Sequence, residues 1–270
     1  MALIDIKLFS QTLHTNTDIR VVLPTPDEPF ISDDRPFYSD RKYQVLYLLH
    51  GMHGDCTVWT RNTGIERYAQ EKCLCVVSAS VTNSCYLNME HGSDFMTYML
   101  EELPTFIQQT FPVSRKREDT FIAGLSMGGY GAFRLAGERP DLFAAAVSLS
   151  GGLDMGAERK DGRIEGGPAT AMPMKDIFGD KPIKGTDNDL FALYPRLHKE
   201  GVDLPKLFMC CGTEDFLYQS NILFRDAMLA EGIDLVYEEG PGIHNWDFWD
   251  PWIRKVVTEW LPLKGTFVEG

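Results

Sequence analysis

Ser126 stands between Gly124 and Gly128 in the stretch DTFIAGLSMGGYG, Asp119 to Gly131. A serine hydroxyl is a weak nucleophile until a base takes its proton, and it must be held where a substrate carbonyl can reach it. The residues before it, Thr120 to Gly124, are a short apolar, β-prone run, and small residues follow before an apolar helical pattern begins. Strand, sharp turn and helix in that order describe a nucleophile elbow, because the tight turn admits no bulk on either side of the serine. The helix start behind it turns free N–H groups and a positive dipole end toward the place where an oxyanion forms. Alone, Gly-x-Ser-x-Gly also fits a plain Gly-rich turn. The chemistry needs a base and an orienting acid as well, in the chain order Ser, Asp or Glu, His.

The rest of the chain offers both. Asp215 lies just beyond the apolar run KLFMCC, Lys206 to Cys211, and His244 lies in the loop after LVYE, Leu235 to Glu238. Each then sits at the C-terminal end of an expected parallel strand, where loops from one sheet edge converge. In that arrangement His244 takes the proton of Ser126 and later gives it to the leaving alcohol, while Asp215 holds the imidazole tautomer and stabilises the imidazolium. Glu214 competes for the acid role. Asp247 is a weaker competitor, being too close in sequence to His244 to approach it from a separate strand. A second Gly-bearing loop, His50-Gly51-Met52-His53-Gly54, leaves the apolar run YQVLYLL at Tyr43 to Leu49. Such a loop supplies half of an oxyanion hole in hydrolases of this design, so the backbone N–H groups of Met52 and Met127 are assigned to it. His50 and His53 are otherwise loop histidines or a metal pair. Without a third ligand at suitable spacing, no metal is expected.

These residues require a mostly parallel sheet. Residues 3 to 10 and 18 to 23 read as an edge hairpin with Asn16 and Asp18 near its turn, and 24 to 42 as a surface loop. Residues 43 to 49, 73 to 80, 120 to 124, 142 to 150, 206 to 211 and 235 to 238 read as further strands, and their continuous apolar runs suit strands covered on both faces. Helices are expected over 57 to 71, from Phe95 to Ile107 with Pro104 kinking it or opening a second helix, over 127 to 137, and over 219 to 231. A terminal helix carries Trp249, Trp252 and Trp260 on one face, read as core. From Gly151 to Leu204 periodicity is weak apart from two amphipathic patches, 172 to 178 and 190 to 198. A stretch of that length inside a compact domain is read as a cap over the site. The expectation is a single α/β domain, residues 1 to 270, with a cap-like insertion at about 151 to 204.

Composition narrows the partners. The chain has 270 residues, 44% of them hydrophobic, and a formal net charge of −13. Nucleic acid and anionic membrane reward clustered Lys and Arg, and no basic stripe is present, so neither is expected. No signal-peptide pattern or apolar run of membrane-spanning length is read, which suggests the cytoplasm. The six cysteines are not at zinc spacing and read as buried free thiols.

GLSMGGYGA at Gly124 to Ala132, LLHGMHGDCTVW at Leu48 to Trp59, EELP at Glu101 to Pro104, CGTEDFLY at Cys211 to Tyr218 and His244-Asn245-Trp246 together resemble the esterase D group of α/β-hydrolases. Tributyrin-esterase-like bacterial enzymes are the nearest type, including the ALIDIKLFS opening. The resemblance implies a serine carboxylesterase working through an acyl-enzyme, with Ser126, Asp215 and His244 as triad, Met52 and Met127 at the oxyanion hole, and no cofactor. The acidic composition, the lack of an exposed apolar run suited to a lipid interface and a cap segment rich in Gly, Lys and Asp favour small, soluble, short-chain acyl esters. Related members include S-formylglutathione hydrolases, which resemble this chain less at the loop His50 to Gly54, and feruloyl and acetyl xylan esterases. Trp59, Tyr86, Tyr130 and Trp246 are available either to an aromatic or sugar subsite or to packing. A non-catalytic binding protein and an acyltransferase on the same shell stay as alternatives of another class. The expected partner is a small-molecule ester, with a second copy of the chain left open.

Overall fold

The computed structural model describes residues 1–25, 42–157, 167 and 172–269. The surface loop expected at 24 to 42 and the middle of the expected cap lie largely outside the described residues. Eight strands form one sheet in the order β1-β2-β4-β3-β5-β6-β7-β8: β1 Ala2–Ser10, β2 Thr15–Leu23, β3 Gln44–Leu49, β4 Leu74–Ala79, β5 Thr120–Leu125, β6 Ala145–Leu149, β7 Lys206–Gly212 and β8 Leu235–Gly240. β2 runs antiparallel to both of its neighbours, and every other pairing is parallel. The central strands β3, β4, β5 and β6 are buried along their whole length, as apolar runs without alternation require.

Helices cover both faces. They are α1 Val58–Asn62, α2 Ile65–Glu71, α3 Phe95–Thr97, α4 Leu103–Thr110, α5 Met127–Glu138, α6 Met174–Phe178, α7 Leu190–Lys199, α8 Tyr218–Ala230 and α9 Trp246–Lys255. Alternate residues of β3 divide between the layers. Val45, Tyr47 and Leu49 join the cluster under α5, α7 and α8, whereas Leu46 and Leu48 join the one under α1, α2 and α9. The C-terminal part of the expected cap is therefore a layer helix: Tyr194 of α7 is fully buried and donates to the Phe133 carbonyl of α5 at 2.9 Å.

Two boundaries differ from the sequence reading for reasons of tertiary contact, and one of the two readings of Pro104 is selected. The hairpin turn is Gln11 to His14, and Asn16 and Asp18, expected near it, lie within β2; the distant Glu102 carboxylate fixes the turn by accepting from Ser10 Oγ, Gln11 N–H and Thr12 N–H at 2.7, 2.9 and 3.0 Å. The helix expected over 57 to 71 breaks at Thr63-Gly64, where Asp250 accepts the Gly64 N–H at 2.9 Å. Pro104 opens α4, which a π-helical turn, Tyr98–Glu102, joins to α3.

The parallel registers bring strand ends level, with Leu49 opposite Gly124, Leu125 opposite Leu149, Leu149 opposite Cys210, and Gly212 opposite Gly240. The loops leaving β3, β5, β7 and β8 thus share one sheet edge, where ligands gather in sheets of this kind. Helix α5 crosses that edge almost in backbone contact. A Cβ on Gly124 would collide with the Gly128 carbonyl, and a Cβ on Gly128 would lie 2.6 Å from the Leu49 oxygen. We expect Gly124→Ala to lower the unfolding free energy by about 1–3 kcal/mol or more, the range of overpacked cores, in urea denaturation. Gly240→Ala, likewise at an ordinary φ but with only a van der Waals contact to Trp252 Cζ2 at 3.6 Å for the new carbon, is the control without the clash.

Candidate active site

Ser126 occupies the turn between β5 and α5 with φ 54° and ψ −118°, a conformation non-glycine residues rarely hold. Backbone hydrogen bonds hold it there. Its N–H donates to the Leu149 carbonyl at 2.9 Å, and its own carbonyl accepts from Gly129, Tyr130 and Gly152 at 3.0, 3.2 and 3.1 Å. The side chain is thereby lifted off the strand end.

His244 reaches it from the loop after β8. The Ser126 hydroxyl lies 2.9 Å from His244 Nε2, and His244 Nδ1 lies 2.8 Å from Asp215 Oδ2. A carboxylate accepts only, so Nδ1 carries the proton and Nε2 is left to accept from the serine. The Asp215 side chain is fully buried, and its other oxygen accepts the Leu217 N–H at 2.8 Å. Phe216 and Trp249 enclose the imidazole, with ring centroids at 4.5 and 4.8 Å. Asn245 caps α9 by accepting the Phe248 N–H, which starts the helix immediately after the histidine.

The two competing acids have other partners. Glu214 accepts the Gly242 N–H at 2.6 Å and the Thr213 hydroxyl at 2.8 Å, and these hydrogen bonds lower its pKa. It braces the loop of the acid against the loop of the histidine. Asp247 lies in the first turn of α9, where its Oδ2 accepts from Asn245 Nδ2 at 3.2 Å.

The loop after β3, expected to supply half of an oxyanion hole, is held by a residue whose role the sequence left open. His50 is buried, its Nε2 accepts the Val81 N–H at 3.2 Å, and its Nδ1 then donates to the Gly51 carbonyl at 2.7 Å. Burial lowers its pKa and keeps it neutral, against a smaller upward push from the Gly51 bond. In a trans peptide the C=O and N–H point opposite ways, so fixing the Gly51 oxygen aims the Met52 N–H away from His50. Tyr86 donates to the His50 carbonyl at 2.9 Å, and Trp59 Nε1 donates to the Leu49 carbonyl at 3.0 Å. Met127 is the first residue of α5, a position whose N–H has no partner within the helix. His53, in the same loop, lines the cavity over Ser126, its N–H donating to Asn83 Oδ1 at 2.8 Å and its Nδ1 lying 3.4 Å from Asn83 Nδ2.

A cavity of about 280 Å³ opens over Ser126, with Gly51, Met52, Met127 and His244 in its wall. Of the aromatic residues considered for substrate contact, Trp246 lines it. Trp59, Tyr86 and Tyr130 do not: each is fully buried with its polar atom spent on a backbone carbonyl, Tyr130 on Asn188. Trp249, read from its helical spacing as core, also lines the cavity, as do Met155, Met172 and Phe216. No helical spacing marks which core aromatic a loop histidine will lean on.

A mostly parallel sheet with a strained serine at a strand–helix turn, a histidine and a buried aspartate in hydrogen-bonded sequence defines a serine hydrolase of the α/β-hydrolase fold. The family comparison is narrower. Residues 10–258 match the Esterase family model, described as "Putative esterase", and the chain belongs to that family. It is 35% identical over 268 residues to an acetyl esterase of Caldicellulosiruptor saccharolyticus, covering 97% of this chain and 98% of that one. Two solved structures from Staphylococcus aureus are each 36% identical and cover 96% of this chain and 98% of theirs. They are the substrate-bound fluorophosphonate-binding serine hydrolase FphF, with a TM-score of 0.83, and the S-formylglutathione hydrolase FrmB, with a TM-score of 0.80. The protein is a serine hydrolase of carboxylic ester bonds.

His50 provides a test with a pH signature. Because its folded pKa lies below the ordinary 6.5, the unfolded chain binds the proton more readily, and stability is lost as pH falls below about 6.5 toward the folded value. His50→Asn, which cannot titrate yet can donate to Gly51, should flatten that part of a plot of stability against pH. His50→Ala should lower kcat by about 10- to 100-fold with KM little changed, less than the 10²–10³ of deleting an oxyanion donor outright. An unchanged kcat in the alanine variant would separate His50 from the oxyanion loop.

Proposed function

We propose that Ser126 is the nucleophile, His244 the general base and then acid, and Asp215 the group that orients the imidazole, in an esterase that prefers small, soluble, short-chain acyl esters. The single observation that carries this is the hydrogen-bond line from Ser126 Oγ through His244 to the buried Asp215, opening into the cavity. His244 Nε2 takes the hydroxyl proton as Oγ attacks the acyl carbon, and the N–H groups of Met52 and Met127 receive the oxyanion. The imidazolium, stabilised by Asp215, returns the proton to the departing alcohol and leaves an acyl-Ser126. Water then gives a proton to the same nitrogen, adds to the acyl carbon, and the acid leaves as Ser126 regains its proton.

Size supports the short acyl chain. The cavity's roughly 280 Å³ falls just below the roughly 300–1,000 Å³ usual for small-molecule sites. Met155 and Met172 bring residues on either side of the undescribed stretch into its wall, which supports reading part of residues 151–204 as a cap. The printed name of the 35% identical relative, an acetyl esterase, points the same way. Kinship finer than the esterase family, to the esterase D group and tributyrin-esterase-like enzymes, is part of the same proposal. Five of the six cysteines are buried in the core, which supports a reducing, cytoplasmic setting. The 36% identical S-formylglutathione hydrolase favours a second reading, thioester hydrolysis on the same residues.

Ser126→Ala and His244→Ala should each lower kcat by on the order of 10⁴- to 10⁶-fold, and the double variant by little more than either alone, since the pair acts as a unit. Additive losses would refute that pairing. Asp215→Asn should lower kcat by about 10²- to 10⁴-fold at nearly constant KM, whereas Glu214→Gln should be mild. Among acetyl, butyryl, octanoyl and feruloyl esters and S-formylglutathione, kcat/KM should peak at two to about four acyl carbons, because each added methylene contributes only ~0.8 kcal/mol and only where there is room. A maximum at octanoate would falsify the short-chain reading. Dominant turnover of S-formylglutathione would select the thioester reading instead.

A further inference from the structure

β1 is an edge strand of nine residues that pairs with β2 on one side only. Free edges of that length are templates for pairing with another chain unless their side chains forbid it. Here the side chains alternate. Ile4, Ile6 and Leu8 pack partly buried against the core, while Leu3, Asp5, Lys7 and Phe9 are exposed on the other face, Leu3 at 43% and Phe9 at 59%.

Read in the opposite direction, this strand is its own complement. Antiparallel pairing with a second copy about Ile6 sets Leu3 against Phe9, Ile4 against Leu8 and Asp5 against Lys7, each pair on a common face. The charges continue a pattern already present within one copy. Arg20 donates to Asp5 through Nε and a terminal nitrogen at 2.6 and 2.9 Å, and Lys7 donates to Asp18 at 2.6 Å. Both are directly opposed pairs of the β1–β2 register. Across the new junction each row then reads Arg20, Asp5, Lys7 of the second copy, Asp18 of the second copy, alternating in sign over four strands.

Neighbouring registers lose this. Centring the pair on residue 5 sets Asp5 against Asp5, and centring it on residue 7 sets Lys7 against Lys7. A slip by one residue sets the exposed face against the half-buried one. We propose that β1 is a homodimer surface, with two copies joined edge to edge about Ile6 into one continuous sheet. β1 lies four places from β5 in the strand order, so the junction leaves the cavity over Ser126 open. One strand pair is small beside the roughly 1,200–2,000 Å² of stable interfaces, and dissociation on the order of micromolar is expected.

Sedimentation velocity on the full chain over a concentration series tests this, with esterase activity as the control for folding. The mass should rise from one chain to two, and salt near 1 M, where the Debye length is about 3 Å, should weaken the association several-fold. Lys7→Asp sets Asp against Asp, and Asp5→Lys sets Lys against Lys, so each variant alone should lose the dimer by about tenfold or more in Kd, a cost of about 1.4 kcal/mol. An equimolar mixture of the two restores opposite charges at both positions and should recover the dimer. A wild-type chain still monomeric at several hundred micromolar, variants that associate like the wild type, or a mixture that fails to recover would each overturn the proposal.

Discussion

The site depends on how closely two backbones cross. β5 and α5 meet at Gly124 and Gly128 with no room for a side-chain carbon, and the same crossing presses Gly128 onto the carbonyls of Leu49 and His50. Three things follow from that one contact. Ser126 is forced into a left-handed conformation at the apex of the turn, the loop after β3 is brought against the serine, and the start of α5 directs its free N–H groups between them. Gly51 continues the contact, since a carbon added there would lie 2.6 Å from Leu125 Cδ1 and 3.3 Å from Ser126 Cβ. The glycines are therefore a condition of approach more than of flexibility.

Around that crossing the structure separates stiff parts from adaptable ones. The polar groups are held by strand ends and by hydrogen bonds that leave them little choice: Asp215 by Leu217, His50 by Val81 and Gly51, and the two loops of acid and histidine by Glu214. The wall facing a substrate contains Met52, Met127, Met155 and Met172, unbranched side chains that can change shape without disturbing the backbone. Preorganised dipoles beside a yielding apolar wall suit a reaction whose charge development is constant while its acyl group varies.

Long-range pairing accounts for what a local reading misplaced. The hairpin turn lies where Glu102 supplies acceptors, the break between α1 and α2 where Asp250 does, and neither residue is near in sequence to the backbone it satisfies. Aromatic residues show the same limit. Trp59, Tyr86 and Trp246 all flank the functional loops in the chain, yet two of them brace carbonyls of residues 49 and 50 and only the third faces the cavity. Trp249 has the spacing of a core residue and is one, while its ring also stands perpendicular to the His244 imidazole.

The sequence by itself determined the parts that local physics controls. Continuous apolar runs gave the buried parallel strands, small residues around Ser126 gave the elbow, and the order of Ser126, Asp215 and His244 along the chain placed each at a strand end. Those readings rest on side-chain volume, backbone freedom and hydrophobic periodicity, all properties of neighbours in sequence. Only the tertiary structure decided which acid meets the imidazole, which histidine nitrogen holds the loop after β3, and which aromatics face the cavity. Adjacent residues such as Glu214 and Asp215 have the same chemistry and nearly the same position, and a rotation of the chain by one residue sends one carboxylate to His244 and the other to Gly242. That rotation is set by hydrogen bonds between loops far apart in sequence, so no window along the chain contains it.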